Sequence, residues 1–217
     1  IVEQEGLTGL PIAERNGKEG ISLPQKLKYN AEKDPEYEIC QAPEGYRFAV
    51  EAEEMMQRRG EESYIAVVHI DGNGMSEAIR KQIQSFGKYG EAVPRMRELS
   101  RRIARSYQAA FDDMVKQMIL GEEEKQEKRK PIPLRPLIMD GDDITFLCEG
   151  SLGIPLTAYF LRCLAQKKEK IGNTSLSACA GVALVHSHFP FSIAYEIAEN
   201  CCRNAKEKRL AASSGPQ

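Results

Sequence analysis

Three aspartates stand close together in the segment 137–148, which reads L-I-M-D-G-D-D-I-T-F-L-C. Asp140, Asp142 and Asp143 place three carboxylates within four residues, where they repel one another unless a cation neutralises them. A hard cation such as Mg²⁺ takes oxygen ligands of this kind, usually one or two carboxylates together with substrate phosphates. Asp and Gly are also ordinary turn residues. The segment alone therefore leaves two interpretations open, a metal site and a solvated acidic turn.

A fourth aspartate, Asp71, ends the apolar segment Y-I-A-V-V-H-I-D at 64–71. Gly72, Asn73 and Gly74 follow it, and a helical pattern starts at Ser76. A Gly-rich turn before a helix offers backbone N–H groups to phosphate, and the aspartate offers a metal ligand. An acid at a strand end, beside acids at a hairpin tip, is the arrangement of a two-metal nucleotidyl-transfer site.

Both acidic segments need strands to position them. The apolar runs 137–139 and 144–148, joined by the acidic turn 140–143, predict a β-hairpin. The β-branched and apolar run 64–71 predicts a strand that is buried on both faces. His69, two residues before Asp71, is interpreted as a structural residue of that strand.

Helical and strand patterns occupy much of the remaining chain. Apolar residues recur at three- and four-residue spacing from Met96 to Met118, which favours a long amphipathic helix that Pro94 begins. Its other face carries arginines that form either a solvated surface or a phosphate-binding patch, namely Arg95, Arg97, Arg101, Arg102 and Arg105. The other predicted elements are a helix at 48–59 with Phe48, Ala52, Met55 and Met56 on one face, helices at 76–86, 153–171 and 190–210, a strand at 176–186, and loops at 87–90 and 121–133.

These segments resemble the palm domain of nucleotidyl cyclases and polymerases. They are most similar to the large polymerase-cyclase subunit of type III CRISPR effector complexes, and more distantly to the GGDEF diguanylate cyclases. The family hairpin carries Gly-Gly-Asp-Asp, and Asp140 stands here in place of the first Gly. The segment 177–183 reads S-A-C-A-G-V-A, like the strand before the last family helix. The A-D-x(5)-A-K signature of that helix is matched in spacing by Ala198, Glu199, Ala205 and Lys206.

The resemblance covers roughly residues 64–209 and, with the order of elements, predicts the fold. Strand, two helices, hairpin, helix, strand and helix make an α+β, ferredoxin-like βαββαβ palm domain with extra helices. We expect an N-terminal extension at 1–62, the palm at 63–210 and a short tail at 211–217.

The resemblance also implies roles for residues. Asp71, Asp142 and Asp143 are the expected catalytic residues and the ligands of two Mg²⁺ or Mn²⁺ ions, whereas Asp140 is set aside because the family has Gly there. Backbone N–H groups of the turn would hold phosphates, at Gly72, Asn73 and Gly74. Lys206 would contact the triphosphate from the last helix, and its alternative interpretation is an ordinary surface lysine.

Composition narrows the classes of partner. The 217 residues carry a formal net charge of −2, so bulk charge does not demand nucleic acid. No stretch is long and apolar enough to span a membrane. The six cysteines show no C-x-x-C spacing and lie mostly in apolar runs, which favours a reduced, cytoplasmic protein.

The resemblance implies that the chain binds a nucleoside triphosphate, with ATP as the expected substrate, and makes a linear or cyclic oligonucleotide messenger in antiviral defence. A second palm is an expected partner, from a homodimer or another subunit, and so is RNA through a CRISPR complex. Two alternatives remain open: a catalytically silent palm that binds nucleotide or a partner palm, and a scaffold subunit whose acidic hairpin is merely solvated.

Overall fold

The computed structural model describes most of the chain, in the ranges 3–6, 9–17, 19–32, 39–55, 63–84, 89–120 and 129–213. The chain divides into two compact units, Ile1–Gln41 and Ala42–Gln217. The first unit contains an antiparallel pair of strands, β1 (Ile12–Asn16) and β2 (Glu19–Ser22), followed by helix α1 (Leu23–Glu32). The predicted boundary between extension and palm at residue 63 stays a prediction.

The second unit is built on a four-stranded antiparallel sheet, whose strands are β4 (Tyr64–Gly72), β6 (Leu134–Asp140), β7 (Asp143–Glu149) and β10 (Ala178–His186). The strand order across the sheet is β10-β4-β7-β6. Strand β4 lies between β10 and β7, and its residues 65–70 are all buried. The α+β palm fold, with a buried central strand beside the acidic hairpin, is therefore confirmed.

The longer helices of this unit are α3 (Met75–Gln84), α4 (Tyr89–Ile119), α5 (Gly153–Gln166) and α6 (Phe191–Ser213). The smaller elements are β3 (Tyr46–Phe48), which pairs in parallel with β5 (Lys130–Ile132), α2 (Ala52–Met55), a 3₁₀ turn (Gly150–Leu152), and the antiparallel pair β8 (Lys170–Ile171) and β9 (Thr174–Ser175). Within the described ranges, none of the helices combines the length and apolar composition that a membrane crossing requires.

Alternation along β4 assigns its side chains to two layers. Val67 packs with Ala183, Ala194 and Ala198, so the odd-numbered residues face α6. The opposite face carries aromatic contacts to α4 and α5, including Phe111 with Phe146 at 5.9 Å between ring centroids. Because Asp71 has an odd number, it lies on the same face of β4 as α6.

Several predicted elements are wrong in their bounds, among them the loop at 121–133, in which β5 occupies Lys130–Ile132. Helix α4 begins at Tyr89, five residues before Pro94, so the predicted loop does not extend to 90. Pro94 removes one hydrogen bond near the start of α4, whose later turns are buried at Leu99 and Ile103. Phe48 belongs to β3 and not to a helix, since it pairs with Ile132 in the strand ladder. Residues 56–59 of that predicted helix lie outside the described residues.

A further difference concerns the helix predicted at 153–171. It ends at Gln166, because Lys168 adopts a left-handed conformation (φ 52°) and β8 follows.

The hairpin turn is also tighter than expected. Asp140 and Asp143 pair across the ladder, leaving Gly141 and Asp142 as a two-residue turn. Gly141 has φ 63°, which a glycine adopts without strain.

Candidate functional site

Strand register brings two of the predicted acids together. Asp71 on β4 and Asp143 on β7 are directly opposite each other in the antiparallel ladder. Asp142, in the hairpin turn, lies against the end of β4: a Cβ added at Gly72 would stand 2.8 Å from the Asp142 Cβ and collide with its carboxylate. Only glycine at position 72 allows this approach. Asp140 is exposed and pairs with Asp143 across the hairpin ladder.

Lys206 reaches the same place from helix α6. Its Nζ lies 2.5 Å from Asp71 Oδ2 and donates to the Gly72 carbonyl oxygen at 2.7 Å. Helix α6 can approach closely because Gly181 on β10 lacks a side chain: a Cβ there would stand 2.5 Å from the Cys202 backbone nitrogen. Lys206 follows Cys202 by one helical turn, which places it over the end of β4.

Burial shapes the electrostatics of the two hairpin acids. It raises the pKa of Asp142 above its usual value, and Asp71 raises it further while Lys206 opposes the shift. Burial also raises the pKa of Asp143, where His69 opposes the shift and Asp71 adds to it. Ionised carboxylates in this position are costly without a positive charge nearby.

One oxygen of this cluster has no hydrogen bond. Asp143 Oδ1 is buried and lacks a partner. His69 Nδ1 lies 3.5 Å from it, too far for a good hydrogen bond, and is 3.3 Å from Thr145 Oγ1 instead. The His69 ring also stands edge-on to Tyr195, with centroids 5.5 Å apart. His69 thus lies under the site, a position that its place in a buried strand did not by itself indicate.

A divalent cation would find suitable ligand types here. Carboxylate oxygens are the donors that Mg²⁺ prefers, and the buried, unbonded Asp143 Oδ1 is such a donor. Among the described residues, however, no three His, Cys, Asp or Glu side chains are arranged to hold a metal ion. In this structure Lys206 supplies the positive charge at Asp71. The donor chemistry fits a hard cation, and the ligand assignment stays a prediction.

The turn after Asp71 is held by Ser177, the residue before β10. Asn73 N–H donates to the Ser177 carbonyl oxygen at 2.8 Å, and Asn73 Nδ2 donates to Ser177 Oγ at 3.2 Å. Gly74 has φ 67° and leads directly into α3. Since the Asn73 N–H is already engaged with Ser177, a phosphate contact through it would require this bond to be exchanged. Phosphate binding by Gly72, Asn73 and Gly74 stays a prediction.

Two of the arginines on α4 are paired with acids of the protein itself. Arg102 binds the Glu169 carboxylate and donates to the Lys170 carbonyl oxygen at 3.0 Å. Arg105 lies 3.8 Å from Glu98. These contacts favour a surface stabilised by internal ion pairs, although they do not test phosphate binding.

Comparison with known proteins places this geometry in a family. Residues 64–211 match the model of the Cas10/Cmr2 second palm domain. No protein of curated function matches the chain in sequence.

Among solved structures, a Csm1–Csm4 cassette in complex with AMPPNP is similar, with a TM-score of 0.51 and 11% identity over 71% of this chain. The same cassette in complex with one ATP has a TM-score of 0.51 and 12% identity over 72% of this chain. Csm1 of T. onnurineus has a TM-score of 0.51 and 12% identity over 74% of this chain.

At such low identity these likenesses show the fold alone. The matched part is 21% of the first two structures' chains and 22% of the third, so this chain spans about a fifth of their length. The family model, in contrast, covers more than half of this chain, including both acidic segments and Lys206. The chain therefore belongs to the Cas10/Cmr2 second palm domain family.

Proposed function

We propose that this palm binds a nucleoside triphosphate, ATP in the first place, together with Mg²⁺ or Mn²⁺, and catalyses nucleotidyl transfer. The observation that carries the proposal is the convergence of Asp71, Asp142, Asp143 and Lys206 at one end of the sheet. The likeness to Csm1–Csm4 cassettes in complex with AMPPNP and with one ATP supports the choice of nucleotide.

The reaction joins a 2′- or 3′-hydroxyl to an α-phosphate and releases pyrophosphate. Bound divalent ions would lower the pKa of the attacking hydroxyl and neutralise the developing charge. Asp71, Asp142 and Asp143 would hold those ions. Lys206, an ammonium group that already lies at the Gly72 carbonyl, would hold the β- or γ-phosphate. The three carboxylates and the ammonium group thus divide the binding of ions and of phosphate between them.

A second candidate function is a silent palm that binds nucleotide without turning it over. The Lys206–Asp71 ion pair favours it, because a metal ligand that is neutralised by lysine needs no metal.

The proposal also includes a second palm, in a homodimer or another subunit of a CRISPR complex, and RNA as a partner of that complex. The limits of the domains, with the extension at 1–62, the palm at 63–210 and the tail at 211–217, are part of the same proposal.

Thermal unfolding with Mg²⁺ and ATP tests the binding site. A ligand that binds only the folded state raises the melting temperature by mass action. We expect Mg²⁺ with ATP to stabilise the parent protein, and the double variant Asp142→Ala, Asp143→Ala to lose this response. Asp140→Asn, on the same hairpin but outside the expected ligand set, is the matched control and should keep it.

Incubation with each labelled nucleoside triphosphate then separates the two candidates. Product formation that requires Asp142 and Asp143 supports the transferase. Binding without product supports the silent palm. A thermal shift that is equal in the parent and the double variant would remove both aspartates from the site.

A further inference from the structure

The Ser177 carbonyl oxygen accepts two hydrogen bonds from opposite parts of the structure. Asn73 N–H donates to it at 2.8 Å, and Tyr107 OH donates to it at 3.2 Å. Tyr107 belongs to α4, whereas Asn73 follows Asp71 at the end of β4. A single carbonyl therefore links the long helix to the turn that continues from the central strand.

Tyr107 is fully buried, at 0% exposure, and its ring packs 6.3 Å from that of Phe160 between centroids. Burial raises the pKa of the Tyr107 phenol, and the negative charges of Asp142 and Asp71 raise it further. The hydroxyl accordingly remains a proton donor.

Asn73, in the middle of this turn, is buried and incompletely bonded. Asn73 is 5% exposed, and its Oδ1 is buried without a hydrogen bond, while its Nδ2 is bound to Ser177 Oγ. Ser177 thus holds Asn73 through both its backbone and its side chain. The position of Asn73 also governs Gly72, its chain neighbour, against which Asp142 packs.

We propose that Tyr107 is a positioning residue of the site: by fixing the Ser177 carbonyl, it holds Asn73 and its neighbour Gly72 in the place against which Asp142, an expected metal ligand, packs. The inference rests on the proposed nucleotide-binding function for its effect on ligand, and on the hydrogen bonds alone for its effect on the turn. Tyr107 touches no substrate in this role and acts through Ser177 and Asn73.

The variant Tyr107→Phe removes one hydroxyl and keeps the buried ring. A hydrogen bond of this type contributes enough that its loss should speed amide exchange at Asn73 roughly two- to tenfold in the absence of nucleotide. Amides of Val67 and Val68, in the middle of β4, should exchange at the parent rate. Tyr159→Phe is the matched control, since it loses a hydroxyl that donates to Gln117 at 3.2 Å on the exposed surface.

Calorimetry with Mg²⁺ and ATP supplies the second readout. We expect Tyr107→Phe to bind ATP roughly two- to tenfold more weakly than the parent, and Tyr159→Phe to bind it equally well. Ser177→Ala removes only the hydroxyl that accepts from Asn73. Because Tyr107 and Ser177 act on one turn, the losses from the two variants should not add when they are combined.

The outcomes separate the inference from the function on which it rests. Unchanged exchange at Asn73 in Tyr107→Phe overturns the positioning role. Faster exchange at Asn73 with parental ATP affinity also overturns it, because the turn would then not serve binding. If the parent protein binds no ATP but Asn73 exchanges faster in the variant, the positioning of the turn stands and the proposed function fails.

Discussion

Lys206 is the positively charged residue of the proposed site. It makes an ion pair with Asp71 and a hydrogen bond with the Gly72 carbonyl oxygen. Its side chain is 25% exposed, so the ammonium group is partly withdrawn from water while still reachable from outside. An ammonium group in this place can bind a phosphate, a carboxylate or both, and substitution of Lys206 distinguishes these roles.

We expect Lys206→Ala to weaken the binding of ATP more than that of AMP, because the proposed contact is to the β- or γ-phosphate. A charge-assisted hydrogen bond of this kind contributes about 1.5–3 kcal/mol, or roughly ten- to a hundredfold in affinity. Calorimetry with both nucleotides measures the difference. Lys208→Ala, an exposed lysine of the same helix, is the control, and equal losses for ATP and AMP would exclude Lys206 from the triphosphate site.

At the scale of elements, the site depends on how closely α6 lies against β10. Ala194 and Ala198 are buried against Val67 and Ala183, and small side chains on both sides bring the two backbones together. The approach is closest at Gly181, where an added Cβ would collide with the Ala198 carbonyl oxygen. Lys206 is carried on the same helix, and its distance to Asp71 therefore follows from this contact.

Gly181→Ala should consequently destabilise the fold and displace Lys206. Overpacking against backbone atoms costs about 1–3 kcal/mol, because backbone cannot move aside as a flexible side chain can. Thermal unfolding should show a lower melting temperature. Gly90→Ala is the matched substitution: it lies in α4 with nothing within 4 Å of an added Cβ, and should be neutral or slightly stabilising. Equal stability of the two variants would contradict the close packing.

Helix α2 is linked to β3 by an ion pair. Arg47 on β3 hydrogen-bonds the Glu54 carboxylate, and these bonds, followed by the bond from the Val50 N–H, lower the pKa of Glu54 to about 2 from 4.5. Because the folded-state pKa is lowered, the stabilisation is present above pH 4.5 and is lost as the pH falls towards 2. Solvent screens the pair, since both side chains are partly exposed.

Glu54→Gln should therefore lose stability near neutral pH and show a smaller fall in stability between about pH 5 and about pH 3. Urea unfolding at both pH values gives the free energy of unfolding of the variant and of the parent, and the loss between the two pH values is compared. Glu53→Gln, an exposed neighbour on the same short helix, should follow the parent. If Glu54→Gln and the parent lose the same stability on acidification, the pair contributes nothing in solution.

At the scale of the whole molecule, the described residues contain a single palm, and the chain spans about a fifth of the Csm1 chains that it matches. The acids and Lys206 lie together on one side of that palm. A reaction that joins two nucleotides needs a second binding site, which another palm would supply.

We expect the isolated chain to bind ATP and to turn it over weakly. If a homodimer provides the second palm, product formed per chain should rise with protein concentration as the dimer forms. Sedimentation at the same concentrations gives the oligomeric state. Efficient, concentration-independent synthesis by a monomer would refute the need for a second palm.

The sequence by itself determined the elements whose patterns are local. The apolar run 64–71 and the Gly/Asp turn between two apolar runs predicted the central strand and the hairpin, and both are confirmed. These predictions held because periodicity and turn chemistry act within a few residues of chain, whereas the roles of the acidic residues and of Lys206 stay predictions. Element ends were less well determined: α4 starts before Pro94, since buried turns further along the helix outweigh one missing hydrogen bond.

Only the tertiary structure decided how residues distant in sequence meet. Strand register set Asp71 opposite Asp143, and the missing side chain of Gly181 brought α6 close enough for Lys206 to reach Asp71. Tyr107 had the apolar spacing of any core residue, and nothing local distinguished its hydroxyl. Its bond to Ser177 joins residues 70 positions apart, so the contact exists only once the helix and the sheet have packed.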